Sequence, residues 1–155
     1  MDTSRTVLTA GHVMQRTVFV LFPDMPVLDA VRELVQRGFS GAPVVVDSRV
    51  VGVFSERDAL TALAAAHYED EPPGTVAQHM RRDFDVVGPT ADIYEVASVF
   101  RDNPIRRVPV VDGQRRILGI VSRGDVLRAL QQLYQHRPKS NYEKLQDHMA
   151  LRHAP

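Results

Sequence analysis

The sequence predicts an α/β fold of the α+β type, in which two β-α-β-β-α repeats pack sheet to sheet with pseudo-two-fold symmetry. Three observations predict it. The same order of features occurs twice, because residues 9–14 (TAGHVM) match residues 75–80 (TVAQHM) at an offset of 66. Each copy then contains an apolar pattern of helical period and a short β-branched strand entered through a proline. Each copy finally shows a glycine, two apolar residues, a serine and, three positions later, an aspartate before an apolar-rich helix.

The first helix of each repeat is predicted from apolar residues that fall on one helix face. Pro26 suits the first turn of the earlier helix, and Gly38 suits its C-terminal stop. Asp92 and Glu95 suit the positive end of the later helix, which an Asn-Pro pair at residues 103–104 ends. The matching apolar residues are Val27, Ala30, Val31 and Leu34 in the first repeat and Ile93, Val96, Ala97 and Phe100 in the second.

The two strands that follow are predicted from a second pair of matches. Residues 43–47 (PVVVD) match residues 109–112 (PVVD), and residues 52–58 (GVFSERD) match residues 119–125 (GIVSRGD). The offset changes from 66 to 65 at the aspartates and to 67 at the glycines. The length differences therefore fall at the strand end and in the turn between the strands, where insertions are tolerated.

These matches divide the chain into a first repeat over residues 7–66, a linker over 67–74, a second repeat over 75–133 and a tail over 134–155. The linker is acidic and proline-rich. A unit of about 60 residues buries too little apolar surface to be comfortably stable alone, so the repeats are expected to depend on each other. In the tail, residues 138–140 (PKS) break the last helix. Docking on the chain's own core and docking on a partner both remain open for the amphipathic segment marked by Tyr142, Leu145 and Met149.

Composition argues against several classes of function. The 155 residues are 44% hydrophobic and 25% charged, as in soluble globular proteins. The absence of cysteine excludes disulfides, thiolate zinc sites and cysteine nucleophiles, and the six histidines show no metal-binding spacing. Neither an apolar run of about 18 residues nor an export signal occurs, so we expect a cytoplasmic protein without membrane association. Nineteen basic and 19 acidic side chains give a formal charge of zero, which argues against nucleic-acid binding.

The order of these elements, with a proline-entered strand and then G-h-h-S-x-x-D at a helix start, resembles the cystathionine-β-synthase (CBS) domain family. Two tandem copies resemble the paired unit called a Bateman module, over residues 7–133. The resemblance implies a regulatory module that requires no cofactor and binds an adenosyl ligand, namely AMP, ADP, ATP or S-adenosylmethionine, in the cleft between the repeats. It also implies a homodimer, for which the apolar-rich segments 59–66 and 126–133 are candidate surfaces, and a separate effector protein as a further partner.

In the family the cleft sites are generally crossed, so that the serine and aspartate of one repeat act with the pre-proline loop of the other. An aspartate at a helix start can accept hydrogen bonds from both ribose hydroxyls, and the serine lies where backbone N–H groups favour a phosphate. Carried over to this chain, the first site combines Ser55, Arg57 and Asp58 with Val86, Val87, Arg106, Arg107 and Pro109. The second combines Ser122, Arg123 and Asp125 with Val18, Phe39, Ser40, Gly41, Ala42 and Pro43. The arginines of the first site favour a phosphorylated ligand there, whereas a weaker or neutral ligand, or none, is expected in the second.

Structural interpretations compete with these assignments. A serine and an aspartate three residues apart also form a capping box, which is compatible with ligand binding by the serine but competes for the aspartate. The prolines can simply begin strands, and Arg106 and Arg107 can be a solvated surface pair. Met14 and Met80 are expected to fill the core or an interface. No independent set of nucleophile, base and orienting acid can be assembled, so an enzyme is not expected, and a ligand-free dimerisation scaffold is the alternative function.

Overall fold

The computed structural model describes residues 7–135 and 139–152 and confirms the predicted α+β fold. Each repeat contains a one-turn helix, a longer helix, an antiparallel β-hairpin and a second long helix. The first repeat comprises α1 (Ala10–Val13), α2 (Val27–Arg37), β1 (Gly41–Val46), β2 (Arg49–Ser55) and α3 (Glu56–Glu69). The second comprises α4 (Val76–His79), α5 (Ile93–Asp102), β3 (Arg107–Val111), β4 (Ile117–Ser122) and α6 (Arg123–Gln135), and the tail contains α7 (Asn141–Arg152).

Some helix boundaries differ from the predicted ones. α3 continues through Glu69, so part of the segment predicted as a linker is helical. Pro26 precedes the first helical residue of α2 as its N-cap, and Gly38 ends that helix in the left-handed conformation (φ 66°) that glycine adopts without strain. The break predicted at residues 138–140 begins outside the described residues. Across the described part of the chain, no helix has both the length and the apolar character needed to cross a bilayer.

The strand predicted at the start of each repeat is reduced to a single parallel bridge. Leu21 pairs with Val44 in the first repeat, and Val87 pairs with Val110 in the second. In both cases a proline follows the bridging residue within two positions. Because proline has no backbone N–H to donate, the ladder cannot extend in that direction. Each hairpin therefore gains one flanking contact where a full third strand was expected.

Each repeat has its own apolar core between the hairpin and the long helices. Phe54 of β2 is fully buried in the first core, and Val121 at the same place in β4 is fully buried in the second. Burial of one such side chain contributes about 1.5–3 kcal/mol to stability. The helix residues that complete these cores match the predicted apolar faces: Val27, Ala30 and Leu34 of α2, and Ile93 and Val96 of α5.

The short helices that open the repeats are exchanged between them. Ala10 of α1 is buried in the core of the second repeat, and Val76 of α4 is buried in the core of the first. The residues that follow these helices continue the exchange, because Gln15 pairs with Ile120 of β4 and Arg81 pairs with Val53 of β2. Each repeat therefore lacks part of its core without the other, as the small size of one unit predicts.

A methionine of each repeat packs on a glycine of the other. A Cβ atom added at Gly52 would lie 2.6 Å from the sulfur of Met80, and one added at Gly119 would lie 2.6 Å from the sulfur of Met14. Real Cβ atoms do not approach heavy atoms this closely, so a side chain at either position would require the methionine to shift, and at Gly119 also the carbonyl oxygen of Gln15, 2.8 Å from the added Cβ. The interface-filling role expected for the two methionines thus has a specific partner in each case.

The two hairpins also contact each other directly. A small cluster of Val45, Val50 and Val111 is buried between them. Two backbone hydrogen bonds join their turn ends: Val50 N–H donates to the carbonyl of Arg115 (3.0 Å), and Ile117 N–H donates to the carbonyl of Ser48 (2.8 Å). The sheets are therefore held together at the turn ends of the hairpins, opposite the ends that carry the pre-proline loops.

Candidate functional site

A cavity of about 500 Å³ lies between the repeats, where the pre-proline loops meet the starts of α3 and α6. Its volume is within the range of ligand pockets in proteins, about 300–1,000 Å³. Equivalent elements of both repeats contribute to its wall. The lining residues are Ser40, Gly41, Ala42, Pro43, Val53, Ser55, Glu56, Arg57, Arg81, Pro104, Ile105, Arg106, Arg107, Pro109, Ile120 and Arg123.

In the first repeat, the β1–β2 ladder places the pre-proline loop beside the serine of the motif. Gly41 is paired with Ser55, and Glu56 N–H donates to the carbonyl of Ser40 (2.9 Å). A Cβ atom at Gly41 would lie 3.0 Å from the carbonyl oxygen of Phe54 and 3.2 Å from Cα of Ser55. Glycine therefore permits the close approach of the two strands that forms this wall of the cavity.

The second repeat repeats this geometry with arginines. Arg107 is paired with Ser122, and Arg123 N–H donates to the carbonyl of Arg106 (3.1 Å). The Nε atom of Arg123 also donates to the carbonyl of Ile105 (2.8 Å). Three arginines are thereby grouped on the wall that the second repeat contributes.

Ser55 and Asp58 form a capping box at the start of α3. The backbone N–H and the hydroxyl of Ser55 both donate to Oδ2 of Asp58 (2.8 Å each), and Asp58 N–H donates to the serine hydroxyl (3.3 Å). Asp58 is half-buried, and its Oδ1 atom accepts no hydrogen bond from any described residue. The serine lines the cavity, and the aspartate does not. The serine and aspartate therefore do form a capping box, and it uses only the Oδ2 atom of Asp58.

Ser122 and Asp125 form similar capping contacts at the start of α6, but there both carboxylate oxygens of the aspartate have partners. Ser122 N–H donates to Oδ2 of Asp125 (2.8 Å), and Asp125 N–H donates to the serine hydroxyl (3.1 Å). The Oδ1 atom of Asp125 is ion-paired with the guanidinium of Arg128. Only 7% of Asp125 is exposed, and both of its carboxylate oxygens already have partners.

Positive charge predominates on the cavity wall. Arg107 stacks on the ring of Phe39, with its guanidinium carbon 4.5 Å from the ring centroid. Within the described part of the chain, none of the lining arginines forms an ion pair with a carboxylate. Concave sites lined by one sign of charge attract ligands of the opposite sign, and guanidinium groups match phosphate oxygens in geometry. Of the described residues that line the cavity, only Glu56 is acidic, whereas five are arginines: Arg57, Arg81, Arg106, Arg107 and Arg123.

The structure brings members of both predicted sites to this one cavity. Those on its wall are Ser55, Arg57, Arg106, Arg107 and Pro109 of the first predicted site, and Ser40, Gly41, Ala42, Pro43 and Arg123 of the second. Those away from it are Asp58, Val86 and Val87 of the first and Ser122, Asp125, Phe39 and Val18 of the second.

The apolar residues away from the wall have structural contacts of their own. Val86 packs against the cluster between the hairpins, and Val87 is buried at its bridge to β3. Phe39 supports Arg107 from behind the wall. Val18 lines a separate cavity of about 350 Å³. Val18 precedes by three residues the single bridge that Leu21 forms with Val44 of β1.

Several lining residues were not predicted: Glu56, Val53, Ile120, Pro104, Ile105 and Arg81. Val53 and Ile120 lie two residues before the motif serines, and side chains at i and i+2 of a strand share one face, so the alternation could have identified them. Glu56 adjoins the motif directly. Arg81 carries no such signal, since it reaches the cavity only through the exchange of the opening segments.

Known proteins resemble this chain along most of its length. The family model described as the CBS domain matches residues 10–65 and 76–132. An uncharacterised protein of Methanocaldococcus jannaschii, MJ1232, is 28% identical over 123 residues, which are 79% of this chain and 40% of that protein. The A-adding tRNA nucleotidyltransferase of Aquifex aeolicus is 31% identical over 126 residues, which are 81% of this chain and 15% of the enzyme. The chain therefore spans less than half the length of either relative.

A solved structure matches at comparable identity. CBSX2, a CBS-pair protein from Arabidopsis thaliana, was crystallised in complex with AMP. In that complex it is 30% identical to this chain, with a TM-score of 0.71 over 81% of this chain and 98% of CBSX2. The matched part of this chain is longer than either repeat, so it includes residues of both.

Proposed function

The chain belongs to the CBS domain family, and from that premise we propose that it is a regulatory module that binds an adenosyl ligand in the cavity between its two repeats. The observation that carries this proposal is the shared wall, to which both pre-proline loops and the starts of both motif helices contribute. A ligand bound there contacts both repeats at once. The candidate ligands are AMP, ADP, ATP and S-adenosylmethionine, and CBSX2 with its bound AMP supports an adenine nucleotide.

The residues around the cavity offer a separate contact for each part of a nucleotide. Val53 and Ile120 give an apolar surface for the base, whose edge backbone groups of the loops would recognise. The Oδ1 atom of Asp58, which adjoins the lining residue Ser55 without lining the cavity itself, would accept a hydrogen bond from a ribose hydroxyl that reaches past Ser55. Arg106 and Arg107 would bind the phosphate. This assignment follows the crossed arrangement, with the aspartate of the first repeat and the loop of the second.

A ligand bound in this way would regulate by stabilising one orientation of the two repeats relative to each other. A ligand that contacts both repeats stabilises the arrangement in which both contacts are made, and a partner can recognise that arrangement. We propose a homodimer and a separate effector as the readers, and a cytoplasmic, non-catalytic role. Leu60 of α3 and Leu127 of α6 support the dimer, because they are 70% and 66% exposed on equivalent helices, and homodimer interfaces are self-complementary.

The proposed function is tested by thermal unfolding with a panel of ligands. At about 100 times its dissociation constant, an adenosyl ligand should stabilise the protein by about 2.7 kcal/mol. GMP should stabilise it less than AMP, because the exocyclic groups of guanine reverse the donor and acceptor pattern at the base edge. An equal response to AMP and GMP would indicate phosphate binding without base recognition. No response to any adenosyl ligand would favour the ligand-free dimerisation scaffold.

The phosphate contact has its own matched variants. Replacing Arg106 and Arg107 together by Ala should weaken AMP at least tenfold and leave adenosine nearly unchanged, since only the phosphate contact is deleted. The control pair is Arg115 and Arg116, which lie next to each other in the β3–β4 turn away from the cavity. Equal losses of AMP binding in both double variants would attribute the effect to net charge alone.

Sedimentation tests the dimer. Leu127→Asp should shift the protein to monomer, because it places a charge in the proposed apolar interface. Leu28→Asp is the matched control, since Leu28 is also exposed but lies on α2. A wild-type protein that is a monodisperse monomer at high micromolar concentration would remove the homodimer from the proposal.

A further inference from the structure

Arg81 differs from the other lining arginines in the part of the chain from which it comes. It follows α4, the opening helix of the second repeat, yet it lies on the wall contributed by the first repeat. Two backbone hydrogen bonds hold it there: Arg81 N–H donates to the carbonyl of Val53, and Val53 N–H donates to the carbonyl of Arg81 (2.9 Å each). The backbone of Arg81 is thus fixed, while its side chain is exposed beside the cavity.

The equivalent residue of the first repeat carries no charge. Gln15 occupies the same repeat position and makes the same pair of hydrogen bonds with Ile120 (2.9 and 3.0 Å). The backbone arrangement therefore does not require an arginine, because glutamine serves equally well in the other repeat. Gln15 also does not line the cavity, so the cation at Arg81 is an addition to one wall only.

With Arg81 included, cationic groups stand on both walls of the cavity. Arg57 and Arg81 lie on the wall of the first repeat, and Arg106, Arg107 and Arg123 lie on the wall of the second. Five arginines against Glu56 leave an excess of four positive charges. A terminal phosphate carries only about −1.5 to −2 charges near pH 7, so a monophosphate neutralises at most about half of this excess. Each further phosphate of a chain adds negative charge and lengthens the reach of the ligand.

We propose that Arg81 is a specificity-determining residue that makes this cavity select ligands with a chain of three phosphates over monophosphates. The chain would extend from the arginines of the second repeat to Arg81 on the wall of the first. A monophosphate held by Arg106 and Arg107 would leave Arg81 unused. This inference rests on the proposed function for the nucleoside part of the ligand, but the phosphate chain is recognised by arginines alone.

Calorimetric titration of the full chain tests it with five probes: ATP, AMP, adenosine, inorganic tripolyphosphate and orthophosphate. The variant is Arg81→Gln, which installs the residue found at the equivalent position. The matched control is Arg82→Gln, since Arg82 is the adjacent exposed arginine and does not line the cavity. In the wild type, ATP should bind at least tenfold more tightly than AMP. Arg81→Gln should weaken ATP and tripolyphosphate about tenfold and change AMP less than threefold, and Arg82→Gln should change none of them by more than threefold.

The outcomes separate this inference from the proposed function. If Arg81→Gln changes ATP binding no more than Arg82→Gln does, the assignment of Arg81 is wrong. If AMP binds as tightly as ATP and tripolyphosphate does not bind, selection by chain length is wrong while the adenosyl module stands. If tripolyphosphate binds in an Arg81-dependent manner as tightly as ATP, and adenosine does not bind, the inference stands and the adenosyl function fails.

Discussion

The two repeats share one backbone plan but differ in what their motif helices offer a ligand. The start of α3 has the sequence SERD (residues 55–58), and the start of α6 has the sequence SRGD (residues 122–125). The serine and aspartate make capping contacts in both, so these contacts belong to the fold. The difference lies in the second carboxylate oxygen, which pairs with Arg128 in Asp125 and has no partner among the described residues in Asp58.

Under the proposed function, one motif meets a folding requirement and a binding requirement with separate atoms. The Oδ2 atom of each aspartate caps its helix, and only the first repeat leaves an Oδ1 atom over. The pre-proline loops show the opposite asymmetry, since Ser40 and Gly41 are small where Arg106 and Arg107 are cationic. A single ligand would therefore take its ribose contact from the first repeat and its phosphate contacts from the second.

The largest expected effect tests whether the two cores contribute unequally. Phe54 and Val121 occupy the same position in β2 and β4, and both are fully buried. Phe54→Ala should destabilise the protein by about 3–5 kcal/mol through the cavity it leaves. Val121→Ala should cost about 2 kcal/mol, at about 0.8 kcal/mol for each methylene-sized group removed. Urea denaturation measures both losses, and a larger loss in the second repeat would contradict this ordering.

A smaller effect is expected where the methionines meet the glycines. At both positions the sulfur of the facing methionine lies 2.6 Å from an added Cβ, but the distance to the nearest backbone oxygen differs. The carbonyl oxygen of Gln15 lies 2.8 Å from a Cβ added at Gly119, and the carbonyl oxygen of Arg81 lies 3.1 Å from a Cβ added at Gly52. Overpacking costs about 1–3 kcal/mol, and backbone yields less readily than a side chain, so Gly119→Ala should destabilise more than Gly52→Ala. The reverse order in denaturation would show that the methionines, not the backbone, determine the cost.

The smallest effect is expected at the hairpin turns. The carboxylate of Asp112 accepts hydrogen bonds from Gln114 N–H (2.9 Å), Arg116 N–H (2.9 Å) and Arg116 Nε (2.8 Å). The backbone hydrogen bond from Arg116 is the main cause that lowers the pKa of Asp112 below its ordinary value of 3.8. In the shorter turn of the first repeat, the structure gives Asp47 no such set of donors and a positive φ of 48°.

Asp112→Asn should therefore lower the melting temperature slightly at pH 7, and Asp47→Asn should not. A lowered folded pKa stabilises the protein fully above the unfolded value, and this stabilisation is lost as the pH falls through the folded value. The difference between wild type and Asp112→Asn should accordingly shrink as the pH falls below the ordinary pKa of the carboxyl group and disappear below the lowered pKa of Asp112. A difference that persists unchanged at such acidic pH would show that the charge of Asp112 is irrelevant.

The internal repeat made most of the fold predictable from sequence. Helical and alternating apolar patterns report which side chains are buried, so the long helices and the hairpins could be located. The exchange of α1 and α4 could not, because a helix of four residues has too short a pattern to show which core it joins. The first strand of each repeat was overestimated because its apolar residues are followed by a proline that ends the pairing.

The candidate site was predictable where the motif itself forms the wall. Ser55, Arg106 and Arg107 lie on the cavity as expected, because the ladder fixes the loop beside the serine. Arg81 was not predictable, because its position depends on the exchange of opening segments rather than on any local pattern. Val18, predicted for the second site, lines another cavity.

Calorimetric titration of Asp58→Ala and Asp125→Ala with AMP and adenosine tests the central claim most directly. Hydrogen bonds to charged groups contribute about 1.5–3 kcal/mol each, so Asp58→Ala should weaken both ligands at least tenfold. Asp125→Ala should leave both affinities within about threefold, because its carboxylate is already occupied by Ser122 and Arg128. Loss of AMP binding in Asp125→Ala with no change in Asp58→Ala would contradict this account, and no change in either variant would show that both aspartates serve only as helix caps.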